Sequence, residues 1–220
     1  SFNGSLLWEP WQVLKKDHTP YKVFTPYYRR GCLSKVPPRE PLAMPNSISS
    51  LDVSKESLLL EDLDLLPTIK WDSHMQARWN IGEEAAQDRL DAFVTAELED
   101  YREGRNFPSK ANVSRLSPYL HFGQISPNTA WHRAADAAAM INNEASLDTF
   151  LSELGWREFS YYLLYHFPQL PTKNLQARFD LFPWATNTES KLKAWQQGKT
   201  GYPLVDAGMR ELYSTGYMHN

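Results

Sequence analysis

The run from Leu147 to His166 constrains this chain more than any other stretch. It reads as one long helix ended by Pro168, because proline cannot supply the backbone N–H that a continuing helix needs. Positions 153, 156, 157 and 160 fall on one face by the i, i+3, i+4 rule, and they carry Glu153, Trp156, Arg157 and Ser160. Leu151, Phe159 and Tyr162 lie opposite and read as core. Taken alone, the polar face has two readings. One is a Glu153–Arg157 pair at i, i+4, worth about 0.3–0.5 kcal/mol, beside a tryptophan packed on a neighbour. The other is a stacking platform with a charged hydrogen-bonding pair, lining one cavity.

The rest of the chain from Trp79 onward is also helical in pattern. Ile81, Ala85, Leu90, Phe93, Leu98 and Tyr101 form an apolar stripe that Pro108 closes. Ser117-Pro118 and Ser126-Pro127 each place a capping residue before a proline, although neither has the Glu or Gln of a full capping box. Two further helices run from about Glu189 to Gln197 and from Pro203 to Thr215, followed by Gly198 and Gly216. Before Trp79 the pattern differs. The first thirty residues read as extended, with short apolar runs at Leu6-Leu7-Trp8 and Tyr21-Lys22-Val23-Phe24 around the turn residues His18-Thr19-Pro20. From Leu33 to about Leu66, prolines 37, 38, 41 and 45 and the polar run 46–50 describe a long irregular connection.

Charge and motifs exclude several classes. No run approaches the roughly 18 consecutive apolar residues of a membrane span. The net charge is −3, but residues 51–104 hold five Lys/Arg against fourteen Asp/Glu while residues 105–220 hold eleven against nine. A basic groove is therefore possible only in the second half. Eight tryptophans, several times the usual share, call for stacking surfaces. The single cysteine, Cys32, cannot form an internal disulfide or a zinc cluster and reads as a free thiol in a reducing, cytoplasmic setting. Gln197-Gly198-Lys199-Thr200 fails as a phosphate-binding loop, because Lys193 stands where the earlier glycine belongs. The helix entry Ser114-Arg115-Leu116-Ser117-Pro118 offers unpaired N–H groups and a guanidinium to an anion; alone, it reads first as an ordinary helix start, since most Ser-Pro starts bind nothing.

Five ordered stretches together resemble the photolyase and cryptochrome flavoproteins. They are 19–26 (Thr19-Pro20-Tyr21-Lys22-Val23-Phe24-Thr25-Pro26), 114–123 (Ser114 to Gly123), 153–159 (Glu153-Leu154-Gly155-Trp156-Arg157-Glu158-Phe159), 198–210 (Gly198 to Arg210) and 215–220 (Thr215-Gly216-Tyr217-Met218-His219-Asn220). The resemblance implies a mainly α fold: the first part of a helical FAD-binding and DNA-binding domain at 79–220, a linker at 31–78, and at 1–30 the end of an α/β antenna domain. It further implies that the family's remaining flavin contacts follow Asn220, so that the 220-residue chain by itself is expected to hold flavin weakly or not at all, as an inactive fragment.

Carried over position by position, the resemblance places FAD phosphates and ribityl chain at Tyr101 and at Val113, Ser114, Arg115, Leu116 and Ser117. Phe150 and Arg157 match positions beside the flavin. Glu153, Trp156 and Asn220 match lesion-facing catalytic and DNA-binding positions, Arg105 a DNA-backbone contact, and Trp184 the outer member of an electron-transfer relay. The implied partner is UV-damaged DNA, with no membrane and a monomeric full-length protein. A second antenna chromophore, of folate or deazaflavin type, is expected only in that full-length protein. The ending Met218-His219-Asn220 resembles the cyclobutane-dimer photolyases, class I-type, where (6-4) photolyases carry a second histidine and plant cryptochromes an aspartate. Light-dependent dimer repair by reduced FAD is thus the first expectation, and a cryptochrome-type blue-light photoreceptor the alternative.

Overall fold

The computed structural model describes residues 4–53 and 57–219. In chain order the α-helices are α1 (Ser73–Gln76), α2 (Glu83–Ala92), α3 (Tyr101–Gly104), α4 (Ser117–His121), α5 (Pro127–Ile141), α6 (Glu144–His166), α7 (Glu189–Gln196) and α8 (Pro203–Thr215). They fall into two compact units. The first joins Ser1–Pro41 to Ile81–Pro183, and the second joins Leu42–Asn80 to Trp184–Asn220.

Helix α6 is the spine of the first unit. Phe150, Leu151, Leu154, Phe159 and Tyr162 are buried along it. α5 packs on it, with Ala130, Ala134 and Ala138 buried at i, i+4 spacing. The join between these helices is set by two asparagines. Asn142 ends α5 in the left-handed region (φ 52°), a conformation asparagine tolerates, and the Asn143 side chain accepts the Ser146 N–H at 3.1 Å to cap α6. At the start of α5, Ser126 Oγ accepts the Thr129 N–H at 3.0 Å, the cap its sequence promised.

The N-terminal segment lies against the same spine. The first thirty residues were expected to be extended. Among the described residues there is no strand, and the segment instead forms a 3-10 turn at Pro10–Gln12 and a π-helical turn at Pro26–Cys32. The reason is packing: the wide turn carries Tyr27, Tyr28 and Cys32 beneath α6, where all three are buried. Gly155 makes this approach possible, because a Cβ there would sit 2.6 Å from Tyr28 Cδ2. His166 Nε2 lies 3.1 Å from the Pro10 carbonyl, and the Tyr21 N–H donates to the Tyr162 hydroxyl at 2.9 Å.

The stripe after Ile81 also departs from the simple expectation. It breaks into α2, a π-helical turn at Phe93–Glu97, and the single turn α3. Leu90, Phe93, Leu98 and Tyr101 are buried as expected, but Ile81 is exposed and Ala86 takes the inward place expected of Ala85. The extra residue in the π turn re-phases the stripe, which a uniform 3.6-residue period cannot represent.

In the second unit α1 and α7 each contact α8. Trp79 Nε1 donates to the Thr215 carbonyl at 2.6 Å, at the end of α8, where Gly216 turns the chain in the left-handed region (φ 73°). Asp206 in α8 folds back on the preceding turn, accepting the N–H groups of Thr200 (2.7 Å) and Gly201 (3.0 Å). Of the long stretch Leu33–Leu66, the described residues hold one 3-10 turn, at Leu60–Leu63.

Candidate functional site

The first half of α6 carries a surface of mixed chemistry. Glu153 does not pair with Arg157. Its Oε1 accepts from Arg105 Nη1 at 2.6 Å, with the two side chains 30% and 20% exposed. Arg105 reaches it from the end of α3, its guanidinium lying over the Tyr101 ring at 5.4 Å. The i, i+4 pair is displaced because a guanidinium arriving from another element meets Glu153 in a partly buried place. Sequence spacing along one helix cannot reveal such a partner.

Trp156, one turn along from Glu153, stacks on Phe24 with ring centroids 3.7 Å apart and planes 12° apart. Phe24 in turn stacks on Tyr28 at 5.4 Å. The indole is thus held flat by an aromatic column and remains 47% exposed. Ser160, the fourth residue of the predicted face, is exposed and turns its hydroxyl back to donate to the Trp156 carbonyl at 3.0 Å.

Arg157 serves as a cross-brace. Its Nη1 donates to the Ser5 carbonyl (2.6 Å) and to Glu158 Oε1 (3.2 Å), and its Nη2 reaches the Leu120 carbonyl at 3.5 Å. Glu158 is the residue that sequence reasoning missed. It is 2% exposed, and its Oε2 accepts the backbone N–H groups of Leu7 (2.8 Å) and Trp8 (3.3 Å). Burial pushes its carboxyl up to about 7, against the opposing pull of those two N–H donors and of Arg157. Nothing in the local sequence separates this glutamate from a solvated one. The one available signal is its place on the core side of a helix, beside Leu154 and Tyr162.

A second cluster surrounds Val113–Ser117. Arg89 Nε donates to the Ser114 carbonyl at 2.9 Å, and its Nη2 reaches the Val113 carbonyl at 3.5 Å and pairs with Glu97. Burial raises the Glu97 carboxyl while Arg89 and Arg115 pull it down. Arg115 holds a left-handed backbone (φ 52°) with an exposed side chain; Leu116 is buried and Ser117 exposed. Ser117 was read as a helix cap. It is instead the first residue of α4, makes no capping bond, and opens a helix of five residues, too short for a strong dipole. What this segment offers an anion is the exposed Arg115 and Ser117. Tyr101 and Phe150 are both buried and meet edge to face at 5.8 Å, sharing Phe93.

The structure therefore brings Arg105, Glu153, Trp156 and Tyr101 to one neighbourhood. It places Arg157 on the N-terminal segment and Phe150 in the core. Trp184 belongs to the second unit and is 76% exposed, and Asn220 lies outside the described residues.

Residues 1–46 match the family described as DNA photolyase, and residues 150–220 match the FAD binding domain of DNA photolyase. The whole chain aligns at 42% identity with the deoxyribodipyrimidine photo-lyase of Agrobacterium fabrum, covering 46% of that protein. The chain belongs to the DNA photolyase and cryptochrome family. Cryptochrome-1 of Arabidopsis thaliana is also similar, at 39% identity over the whole chain and 33% of its own length. Among solved structures, a bacterial class III photolyase from Agrobacterium tumefaciens matches with a TM-score of 0.91 at 41% identity, over the whole chain and 45% of its own. The chain thus spans less than half the length of these photolyase-family relatives. The helical fold expected from the resemblance is the one the family match and the structural likeness carry. No helix among the described residues is long and apolar enough to cross a membrane.

Proposed function

We propose that the full-length protein is a light-dependent DNA-repair enzyme, a deoxyribodipyrimidine photo-lyase that reverses cyclobutane pyrimidine dimers with reduced FAD. The observation that carries this reading is the pairing of a flat, half-exposed indole with a carboxylate one helical turn away: Trp156 beside Glu153, with Arg105 alongside. A dimer must leave the duplex stack to be repaired, which costs least for a damaged pair. Trp156 offers the extruded bases a face, at roughly 1–3 kcal/mol per stacked base. Glu153 accepts a hydrogen bond from one of them, and Arg105 holds the backbone phosphate.

Bound reduced flavin would supply the electron that opens the dimer under blue light. The chain's own residues fit its anionic end: Arg115, on a loop that Arg89 holds by its carbonyls, and Ser117, which opens α4, are both exposed. Val113, Ser114 and Leu116 shape that loop, and Tyr101 is assigned to the cofactor with them by the family resemblance. Phe150 and Arg157, assigned beside the flavin, act in this arrangement by closing the core and bracing α6. Trp184, largely exposed, suits the outer end of an electron relay. The likeness to a class III photolyase supports that sub-class over the class I type first expected. The same reading carries a cytoplasmic, monomeric protein with a second antenna chromophore.

The cryptochrome-type photoreceptor is the second reading, favoured by the 39% identity to Cryptochrome-1. Full-length protein with reduced flavin, incubated with an oligonucleotide bearing one thymine dimer, separates them. Loss of the dimer in blue light and not in the dark is expected. A flavin-loaded protein that leaves the dimer intact in the light would turn the assignment to the photoreceptor.

A further inference from the structure

The tightest ion pair on the proposed DNA-facing surface joins the residue meant for phosphate to the residue meant for the base. We propose that Glu153 holds Arg105 in reserve, and that exchange of their partners makes Glu153 a discriminator between damaged and intact DNA. This deepens, and rests on, the repair reading given above.

Arg105 meets a phosphate with its charge already partly neutralised and its position held: Nη1 donates to Glu153 Oε1 at 2.6 Å, and the guanidinium lies over the Tyr101 ring at 5.4 Å, so a full phosphate contact draws it off Glu153. Neighbouring cations of α3 and the loop after it have acidic partners too: Arg102 lies 3.7 Å from Glu103 and Lys110 3.0 Å from Asp100. Those pairs are about half exposed or more, so water replaces either partner cheaply. Arg105–Glu153 differs, with 20% and 30% of the side chains exposed. Drawing Arg105 away leaves a partly buried carboxylate without its counter-charge, and that cost persists until a hydrogen-bond donor arrives.

Intact and damaged DNA differ in what they bring to Glu153. Both bring phosphates. In an intact duplex the imide N–H of each thymine is engaged in base pairing and stays inside the stack. An extruded pyrimidine dimer carries its imide N–H groups out with it, and Trp156, at i+3 from Glu153, is the face on which it lands. Only the lesion therefore repays the carboxylate for releasing Arg105. An intact duplex must take a phosphate contact at the cost of an unpaired Glu153, or leave Arg105 where it is.

The test uses the full-length protein in the dark and two short duplexes that are identical except for one thymine dimer, with dissociation constants measured across several salt concentrations. Glu153→Gln is expected to bind the intact duplex roughly three- to tenfold more tightly than the parent, because Arg105 is then free. The salt slope for intact DNA is expected to steepen by about 0.9, the contribution of one added phosphate contact. Adding Arg105→Gln should abolish both changes. Intact-duplex binding and salt slope unchanged by Glu153→Gln would overturn the proposal, as would a gain that survives in the double variant. A parent protein with no preference for the dimer-bearing duplex would overturn the repair reading itself, and this proposal with it.

Discussion

Removing the charge of Glu158 should change how stability depends on pH more than how the fold looks. The carboxyl is 2% exposed, and burial holds it at about 7, against 4.5 for the unperturbed group. Between those two values the folded chain keeps a proton that the unfolded chain has lost. Stability from this group is therefore fully present below about pH 4.5 and is lost as pH rises through about 7. At about 1.4 kcal/mol for each pH unit, the loss across that window approaches roughly 3 kcal/mol. Glu158→Gln keeps the shape and a carbonyl oxygen for the Leu7 and Trp8 N–H groups but cannot titrate. Urea unfolding of the full-length parent and variant from pH 5 to pH 8 isolates the effect, because every other group titrates in both. The stability difference should move toward the variant by up to about 3 kcal/mol as pH rises. Parallel curves across that range would refute the reasoning and place Glu158 among ordinary, low-titrating carboxylates.

Two further substitutions probe the frame around the site. Gly155→Ala gains about 1 kcal/mol of helix propensity but drives a Cβ to 2.6 Å from Tyr28, whose ring is buried between neighbours. Overpacking of about 1–3 kcal/mol should outweigh the gain, and a variant that unfolds at higher urea than the parent would show that Tyr28 can yield. Arg89→Lys keeps a cation beside Glu97 but loses the grip on the Ser114 and Val113 carbonyls. Flavin affinity of the full-length protein should fall about tenfold in a titration followed by flavin fluorescence, and an unchanged affinity would remove the loop from the cofactor site.

What the sequence could and could not tell follows from the range of the interactions. Helices α6, α7 and α8 end where local chemistry ends them, at Pro168, Gly198 and Gly216, and their limits were legible to within three residues. Ser126 capped its helix as its neighbours implied, while Ser117 did not, because α4 is one short turn set by the buried Leu116 before it and the buried Leu120 within it. The π turn at Phe93–Glu97 escaped a reading that assumes one period. The site divides in the same way. Placing Glu153 and Trp156 on one exposed face needed only helical spacing. The Arg105–Glu153 pair, the Phe24 ring beneath Trp156 and the Leu7 and Trp8 N–H groups at Glu158 come from 48 to 151 positions away, which no pattern along the chain encodes.

The most direct test of the account is whether Trp156 is the face that receives damaged bases. Trp156→Leu keeps an apolar cover on Phe24 while removing the stacking surface. Full-length protein and variant would be compared for binding, in the dark, to duplexes with and without a single thymine dimer. Preference for the dimer is expected to fall roughly tenfold to a hundredfold in the variant, with intact-duplex affinity nearly unchanged. A variant that keeps the parent's full preference would contradict it.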